Sequence, residues 1–355
     1  MFKIEKTILF LLVFVSFIIN LTMPPVQAAA IEAPKIDDLL QKNNFSGNLL
    51  IVKKGHYWFE QQSGYANYAQ RRLLNKDSVY QLASLEKSIT ATLIIKAQTQ
   101  HKLELTNSLQ QYFPQIPYSA NLTLTHLMQM QSGLNLTTEP TTNLRGKKLD
   151  HYLNTHTSFD SHYVNRWHYS DVNYILLARI LVQVYHCSYQ TLFKRYFKQK
   201  LHLKDTDVNN QFVFNPNHVL AYAVNKQPAD YNHPLSLNQQ RLNFEGGAGQ
   251  LYSNVREFYR IQAAIVNGKI VDRHFIHQFR QIPPTNPTNG YNGGVYNDKS
   301  NHYFYAHGVE QGFDTVFLMS NNAQNAIILF SNRHNPYGTN TNTIDLVKKL
   351  YQQVF

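Results

Sequence analysis

Short runs of apolar and aromatic residues stand near the start of the chain, and the pattern then changes to a helical period. These runs predict strands at Leu49–Val52 and Tyr57–Gln61, joined by a turn at Lys54-Gly55. From residue 84 to 105, apolar residues recur every three or four positions, which predicts a helix. Further apolar residues outside that face indicate that the helix is buried.

The rest of the chain is mixed at first and becomes strand-like again near its end. The predicted elements are helices at 123–131, 172–186 and 188–199, loops at 208–245, strands at 302–321 and 325–332, and an amphipathic helix at 343–355. Strands from both ends of the chain would therefore share one sheet. We expect an α/β part made of about 31–105 and 246–355, interrupted by an α-rich part at about 106–245.

The first thirty residues have the layout of a secretory signal peptide. Lys3 and Lys6 precede an apolar run from Ile8 to Ile19, and the segment ends in small residues after two prolines. The run is short for a bilayer span, which favours cleavage, and an uncleaved membrane anchor is the alternative. We therefore expect a bacterial protein that is secreted or associated with the cell envelope. It would contact the membrane only through this segment, if the segment is retained.

Composition favours a globular body and excludes some kinds of site. Hydrophobic residues make up 43% of the 355 residues and charged residues 15%, which is typical of a folded core rather than a disordered chain. Cys187 is the only cysteine, so an intramolecular disulfide and a cysteine-based metal cluster are both excluded. No His-Glu-x-x-His motif occurs, and we expect neither a metal nor another cofactor.

The chain is strongly basic, with a formal charge of +11 that falls only to about +10 without the first thirty residues. For a secreted protein, the natural anionic partners are cell-wall polymers and lipid head groups. Nucleic acid is not expected, because no Arg-rich run or RNA-binding motif is present. A basic surface that only keeps the protein soluble is the alternative.

Ser84 and Lys87 stand three residues apart at the start of the predicted buried helix, in "QLASLEKSIT". That spacing places both side chains on one helical face. A serine hydroxyl needs a neighbouring base to act as a nucleophile, and a lysine serves if burial lowers its pKa. The helix N-terminus would also direct backbone N–H groups at an oxyanion. The alternative is that Ser84 only caps the helix and that Lys87 is solvated.

Several segments in order resemble one enzyme family. They are "FSGNLLIVKKG", "VYQLASLEKSITATLIIKAQTQ", "LTLTHLMQMQSGLN", "WHYSDVNYILLARILVQVY" and "EGGAGQLYSN". Together they resemble the serine β-lactamases and penicillin-binding-protein-like hydrolases, in the branch of class C β-lactamases and D-alanyl-D-alanine carboxypeptidases. The resemblance implies an α+β fold of the β-lactamase/transpeptidase type, with an antiparallel sheet flanked by helices and an inserted α-rich subdomain.

The same resemblance assigns roles to individual residues. It implies that Ser84 is the nucleophile and that Lys87 is its base or proton relay. The family's second motif, Tyr-x-Asn, falls on Tyr169-Ser170-Asp171. It implies that Tyr169 carries the proton between Ser84 and the leaving group, with a pKa that we expect Lys87 to lower. The alternative is that Tyr169 is one more core aromatic residue.

Asp171 departs from the family pattern, in which an asparagine stands at this place. An ionised aspartate only accepts hydrogen bonds, whereas an asparagine also donates. We therefore expect Asp171 to hold Lys87 in its charged form and to give up the donation to a substrate carbonyl. The hypothesis that follows is weakened turnover of β-lactams and a preference for an ester or an unusual D-alanyl group.

The third motif, Lys-Thr-Gly or His-x-Gly, is expected in "YAHGVEQGF", where its alignment is ambiguous. One alignment puts Gly308 at the third place, with Ala306 at the place of the lysine. Sliding by one residue makes His307 the cationic residue. We expect His307 to bind substrate, with a surface strand histidine as the alternative. The oxyanion hole would combine the N–H of Ser84 with that of Val309, just after Gly308.

These inferences lead us to expect a secreted serine hydrolase that works through an acyl-enzyme. By resemblance, its substrate is a D-alanyl peptide of the cell wall or a D-alanyl ester of teichoic acid, with the basic surface suited to the anionic polymer. Two rival functions remain. One is a general esterase on the same fold, and the other is a non-catalytic, penicillin-binding-like sensor or binding protein.

Overall fold

The structure is a computed structural model that describes residues 35–223, 231–285, 290–300, 302–334 and 343–355. The expected signal peptide at residues 1–30 lies outside the described residues. Among the helices that are described, none is both long and apolar enough to cross a lipid bilayer.

The central element is a seven-stranded antiparallel sheet built from both ends of the chain. Its strand order is β12-β13-β14-β15-β16-β1-β2. The strands are β1 (Gly47–Lys53), β2 (His56–Ser63), β12 (Tyr291–Asn292), β13 (Val295–Asn297), β14 (Tyr303–Glu310), β15 (Phe313–Ser320) and β16 (Ala326–Ser331). β1 lies between β2 and β16, so the first strand of the chain pairs with the last strand that enters this sheet.

Smaller strands tie the rest of the chain to this body. They form a three-stranded sheet β10-β9-β17, a second one β5-β11-β8, and two pairs, β3-β4 and β6-β7. Their bounds are β3 (Tyr65–Asn67), β4 (Arg72–Leu73), β5 (Tyr80–Gln81), β6 (Ser132–Leu136), β7 (Thr157–Val164), β8 (Asp207–Val208), β9 (Ala221–Ala223), β10 (Pro234–Leu235), β11 (Leu251–Ser253) and β17 (Arg333–His334).

Helices cover both faces of the main sheet. They are α1 (35–42), α2 (Lys87–Thr99), α3 (Leu124–Met128), α4 (Gly146–His156), α5 (Val172–Tyr185), α6 (Tyr189–Phe193), α7 (Gln239–Phe244), α8 (Val255–Val266), α9 (Arg273–Phe279) and α10 (Thr343–Val354). α1 and α10 pack on one face, and α2 and α8 belong to the larger core on the other. The sheet is therefore buried on both sides, which explains why β1, β15 and β16 are apolar almost throughout.

The observed elements confirm the expected fold class, and the local differences have clear causes. The helix predicted from residue 84 begins as a 3-10 turn at Ala83–Glu86 and becomes regular only at Lys87. The helix predicted at 123–131 ends at Met128, and the chain then turns through Met130 with φ +56° into β6. The stretch expected as loops contains short elements as well, including α7. The proposed limits of the α-rich part, about 106–245, stay a prediction.

Candidate active site

Ser84 is the only residue between Ser78 and Ile95 that is not buried. It lies in the 3-10 turn that leads into α2. Ala83, the residue before it, has φ +48°, a backbone conformation that costs energy for any residue with a Cβ atom. Tertiary contacts therefore hold a strained turn that brings one hydroxyl to the surface of an otherwise closed core.

Lys87 lies one helical turn after Ser84 and is 1% exposed. Its Nζ donates hydrogen bonds to Ser84 Oγ at 2.9 Å and to the carbonyl of Ala248 at 2.9 Å. It also forms an ion pair with Asp171 Oδ1 at 2.6 Å. An ammonium group has three protons, and here each proton has its own acceptor. The lysine is therefore arranged as a charged donor.

Tyr169 completes this group from the segment between β7 and α5. Its hydroxyl lies 2.6 Å from Ser84 Oγ, and Lys87 Nζ lies 5.3 Å from the centre of its ring. The apolar α5 is anchored in the core by Tyr174, whose hydroxyl donates to the carbonyl of Met128. The structure thus brings together the four residues predicted from the first two motifs, although 85 residues separate Ser84 from Tyr169 in the sequence.

The protonation states of this group differ from two expectations. Burial alone would lower the pKa of Lys87, but the Asp171 carboxylate and Tyr169 outweigh burial and raise it above its usual value. Burial raises the pKa of Tyr169, and the charge of Asp171 raises it further. Lys87 lowers this pKa, but by less than the other two effects raise it. Burial disfavours the charged form of Asp171, yet Lys87 holds the pKa of this carboxyl below its usual value. The resting site therefore holds an ammonium, a phenol and a carboxylate.

A lysine serves as the base only if its pKa is lowered, and Lys87 does not meet that condition. The prediction that the pKa of Tyr169 is lowered is wrong. For Lys87 the physical reason is that burial is outweighed by the negative charge of the aspartate together with Tyr169. For Tyr169 the reason is burial, to which the charge of Asp171 adds. The expectation that Asp171 holds Lys87 in its charged form agrees with the contacts.

A buried glutamate fixes the loop that receives Lys87. Glu86 is fully buried, and its two carboxyl oxygens accept hydrogen bonds from the N–H groups of Gly247 at 2.9 Å and Leu251 at 2.7 Å. Between these two contacts lies Ala248, the carbonyl of which accepts from Lys87. Burial raises the pKa of Glu86 to about 7, while the two backbone N–H groups oppose this rise. No sequence motif marks Glu86 as part of the site.

Gly308 brings β14 against the nucleophile turn. A Cβ atom on this glycine would lie 2.7 Å from the carbonyl oxygen of Leu82 and 2.8 Å from the backbone nitrogen of Ser84. Thr315 on β15 adds a hydrogen bond to the same Leu82 carbonyl at 3.0 Å. No larger residue would fit at Gly308 without moving the backbone, so its identity follows from this close approach.

The backbone of Val309 faces the open side of β14. The carbonyl of Tyr303 accepts a hydrogen bond from Asp298, on the side of β13. Backbone groups alternate along a strand, so Val309, six residues later, also points its N–H away from β15. β13 pairs with β14 only as far as Tyr305. The N–H of Val309 therefore lies at a strand edge close to Ser84, as a second oxyanion donor requires.

His307 lies on the other face of the sheet. Its Nε2 is 2.8 Å from Asp314 Oδ1, and Asp314 also contacts His334 and the Thr343 hydroxyl at the start of α10. Side chains alternate along a strand, so Ala306 and Gly308 face the nucleophile and His307 does not. The structure thus corrects the prediction that His307 binds substrate, and it places Ala306 where the family pattern has a cationic residue.

A tight hairpin also contacts the site, and sequence analysis did not single it out. The turn between β12 and β13 contains Gly293 and Gly294, which have φ +63° and +80°. A Cβ atom on Gly294 would lie 2.4 Å from the carbonyl carbon of Lys87. The hairpin also carries Tyr291, whose ring packs edge-on against Tyr169. A Gly-Gly pair between aromatic residues is a hairpin signal, so this element was detectable in the sequence.

Comparison with known proteins identifies the family of this chain. The family model described as Beta-lactamase matches residues 33–352, which is nearly the whole chain. The chain belongs to the β-lactamase family. The family resemblance seen in the motifs is therefore confirmed.

Curated relatives of this β-lactamase family member are distant in sequence. A protein assigned as penicillin-binding protein PbpX in Bacillus subtilis (strain 168) is 24% identical over 318 residues, which are 90% of this chain and 77% of the relative. The teichoic acid D-alanine hydrolase of Staphylococcus aureus is 24% identical over 277 residues, which are 77% of this chain. The match covers 65% of that hydrolase, less than two thirds of its length.

Solved structures share the fold over most of the chain. The crystal structure of FmtA from Staphylococcus aureus matches with a TM-score of 0.78 at 19% identity, covering 93% of this chain and 88% of that one. A class C β-lactamase matches with a TM-score of 0.73 at 17% identity, covering 94% and 99%. At these identities the likeness concerns the fold alone, and it agrees with the expected α+β architecture.

Proposed function

We propose that the protein is an extracytoplasmic serine hydrolase that removes D-alanyl groups through an acyl-enzyme. The observation that carries this proposal is the contact of Ser84 with Tyr169 at 2.6 Å and with Lys87 at 2.9 Å, beside Gly308. A nucleophile, a proton carrier and a fixed positive charge therefore meet at one point. Membership of the β-lactamase family supports hydrolysis, and the teichoic acid D-alanine hydrolase among the relatives supports the D-alanyl group.

The protonation states determine how the chemistry would run. Ser84 Oγ attacks the substrate carbonyl while its proton passes to Tyr169 Oη, and Tyr169 gives its own proton to the departing oxygen. The phenol is thus neutral before and after the step, which suits its raised pKa. Lys87 remains an ammonium and stabilises the negative charge that develops on Ser84 Oγ and Tyr169 Oη. In the second half-reaction, water attacks the acyl group and its proton returns through Tyr169 to Ser84.

Among D-alanyl substrates, we favour an ester on teichoic acid. Asp171 accepts hydrogen bonds and is committed to Lys87, so it offers no donor to the amide carbonyl of a peptide or a β-lactam. The formal charge of +11 suits an anionic polymer carrying the ester. Residues 1–30 have the pattern of a signal peptide, which would deliver the protein to that polymer. A D-alanyl peptide of the cell wall is the alternative substrate.

The test is the intact mass of the protein, measured with benzylpenicillin and with a D-alanyl ester of glycerol, together with release of D-alanine. Ser84→Ala is the control. We expect Ser84-dependent release of D-alanine without a stable penicillin adduct. A stable adduct on Ser84 without ester cleavage would instead indicate a penicillin-binding enzyme with slow deacylation. If Ser84→Ala changes neither measurement, the hydrolase proposal is wrong and the protein is a binding protein.

A further inference from the structure

Four charged side chains that the proposed mechanism does not use meet beside the nucleophile. Arg241 of α7 lies 3.0 Å from a carboxyl oxygen of Glu245, 3.2 Å from Glu310 and 3.3 Å from Glu139. The Glu245 and Glu310 side chains are 9% and 5% exposed, and that of Glu139 is half exposed. We call these three glutamates and Arg241 the acidic cluster.

The acidic cluster adjoins the reacting atoms from two directions. Glu310 lies on β14 two residues after Gly308, so both project from the same face of the strand. The Glu245 carboxylate approaches the site across Gly249. A Cβ atom on Gly249 would lie 2.8 Å from Glu245 Oε2 and 3.6 Å from the Cα of Ala83.

The acidic cluster also borders an open cleft. The cleft has a volume of about 400 Å³, which is in the range of small-molecule sites. Glu139 and Glu245 line it together with Tyr169 and Asp171, so the cleft connects the cluster to the predicted proton carrier.

The charges in the acidic cluster do not balance. Three carboxyl groups face one guanidinium, and Asp171 is already paired with Lys87. Glu310 Oε1 is buried and, within the described residues, accepts no hydrogen bond, although Arg241 Nε lies 3.2 Å away. Burial, followed by the Glu310 charge, raises the pKa of Glu245 to about 8 despite the opposing effect of Arg241. A buried acceptor without a donor is costly, and its neighbour in the cluster, Glu245, lines the cleft through which a ligand can enter.

We propose that the acidic cluster binds the free α-ammonium group of an aminoacyl ester, with Glu245 and Glu310 as its acceptors. This rests on the proposed function, because the cluster is placed to hold the acyl group that Ser84 receives. An alanine esterified through its carboxyl keeps a free ammonium with three donors. In a peptide or a penicillin, the corresponding nitrogen is acylated and uncharged, so the excess negative charge of the acidic cluster would stay uncompensated.

The test compares two esters that differ only at the amine, the D-alanyl ester of glycerol and its N-acetyl form. The readout is the ratio of their kcat/KM values near pH 7. We expect the protein to prefer the free amine by about 10- to 100-fold, the range for a charged hydrogen bond. Glu310→Gln and Glu245→Gln should each lower this ratio about 10-fold. Glu104→Gln, at an exposed residue that does not line the cleft, should leave the ratio unchanged.

Failure of this inference and failure of the proposed function give different results. If both esters are cleaved equally well in a Ser84-dependent way, the hydrolase stands and the ammonium site is wrong. The ammonium site is also wrong if the two glutamine variants keep the wild-type ratio. If neither ester is cleaved, the proposed function fails. The ammonium site is then tested by measuring binding of the free-amine ester to Ser84→Ala by titration calorimetry. If Ser84→Ala binds the free-amine ester and adding Glu310→Gln weakens that binding, the ammonium site is supported. If no binding is detected, the ammonium site is wrong.

Discussion

Replacing Glu86 with glutamine tests how the fold holds the loop that receives Lys87. Glu86 is fully buried and its pKa is raised to about 7 from an ordinary value of 4.5. The folded state therefore keeps a proton on this group between about pH 4.5 and 7 that the unfolded chain has already lost. Since the folded pKa of an acid is raised, this group makes stability fall as pH rises through that window.

The size of this pH dependence follows from the pKa shift of Glu86. Each pKa unit corresponds to about 1.4 kcal/mol, so a shift of roughly 2.5 units makes the free energy of unfolding fall by about 3 kcal/mol across the window. Glu86→Gln cannot ionise and removes this slope. It also turns an N–H₂ group towards one of the two backbone donors, which costs about 1–3 kcal/mol at every pH. The slope and the constant offset are separable, because only the slope depends on pH.

The assay is urea unfolding followed by circular dichroism at pH 4.5, 5.5, 6.5 and 7.5. The quantity of interest is the difference in unfolding free energy between wild type and Glu86→Gln. This difference isolates Glu86 from other groups such as Glu245, whose pKa of about 8 adds to the slope in both proteins. Glu104→Gln, at an exposed site, serves as the control. A difference that stays constant from pH 4.5 to 7 would refute the raised pKa and the role of burial in it.

Four further substitutions test the site by distinct measurements. Gly308→Ala should lower kcat/KM at least about 100-fold, because its Cβ would displace the oxyanion donors, and a wild-type rate would contradict that geometry. Tyr169→Phe should lower kcat by about 10²- to 10⁴-fold in steady-state assays with an unchanged circular dichroism spectrum, and full activity would exclude it as proton carrier. Asp171→Asn should shift the ratio of ester to penicillin turnover towards penicillin, and an unchanged ratio would refute the role assigned to this carboxylate. Gly294→Ala should lower stability in urea by more than Gly146→Ala, because both have positive φ but only Gly294 contacts neighbouring backbone; equal losses would contradict this.

The local pattern of the sequence determined much of this protein. Short runs of apolar and aromatic residues predicted β1 and β2, and the spacing of Ser84 and Lys87 at the start of an apolar helix marked the nucleophile. Both signals act over a few residues, where the period of a strand or helix fixes which side chains share a face. The order of motifs then added Tyr169 and Asp171, which chain distance alone could not connect to Ser84.

Only the tertiary structure decided the rest. The register of β14 places Ala306, and not its neighbour His307, beside the nucleophile. A difference of one residue decides this, because neighbouring side chains on a strand point to opposite faces. The acidic cluster joins Arg241 and Glu245 of one segment to Glu310 of a distant strand. The charge of Lys87 depends on its burial and on the distance to Asp171, and neither quantity is present in a linear sequence. Desolvation and long-range contacts arise only when the chain folds, so they set the chemistry that the motifs alone left open.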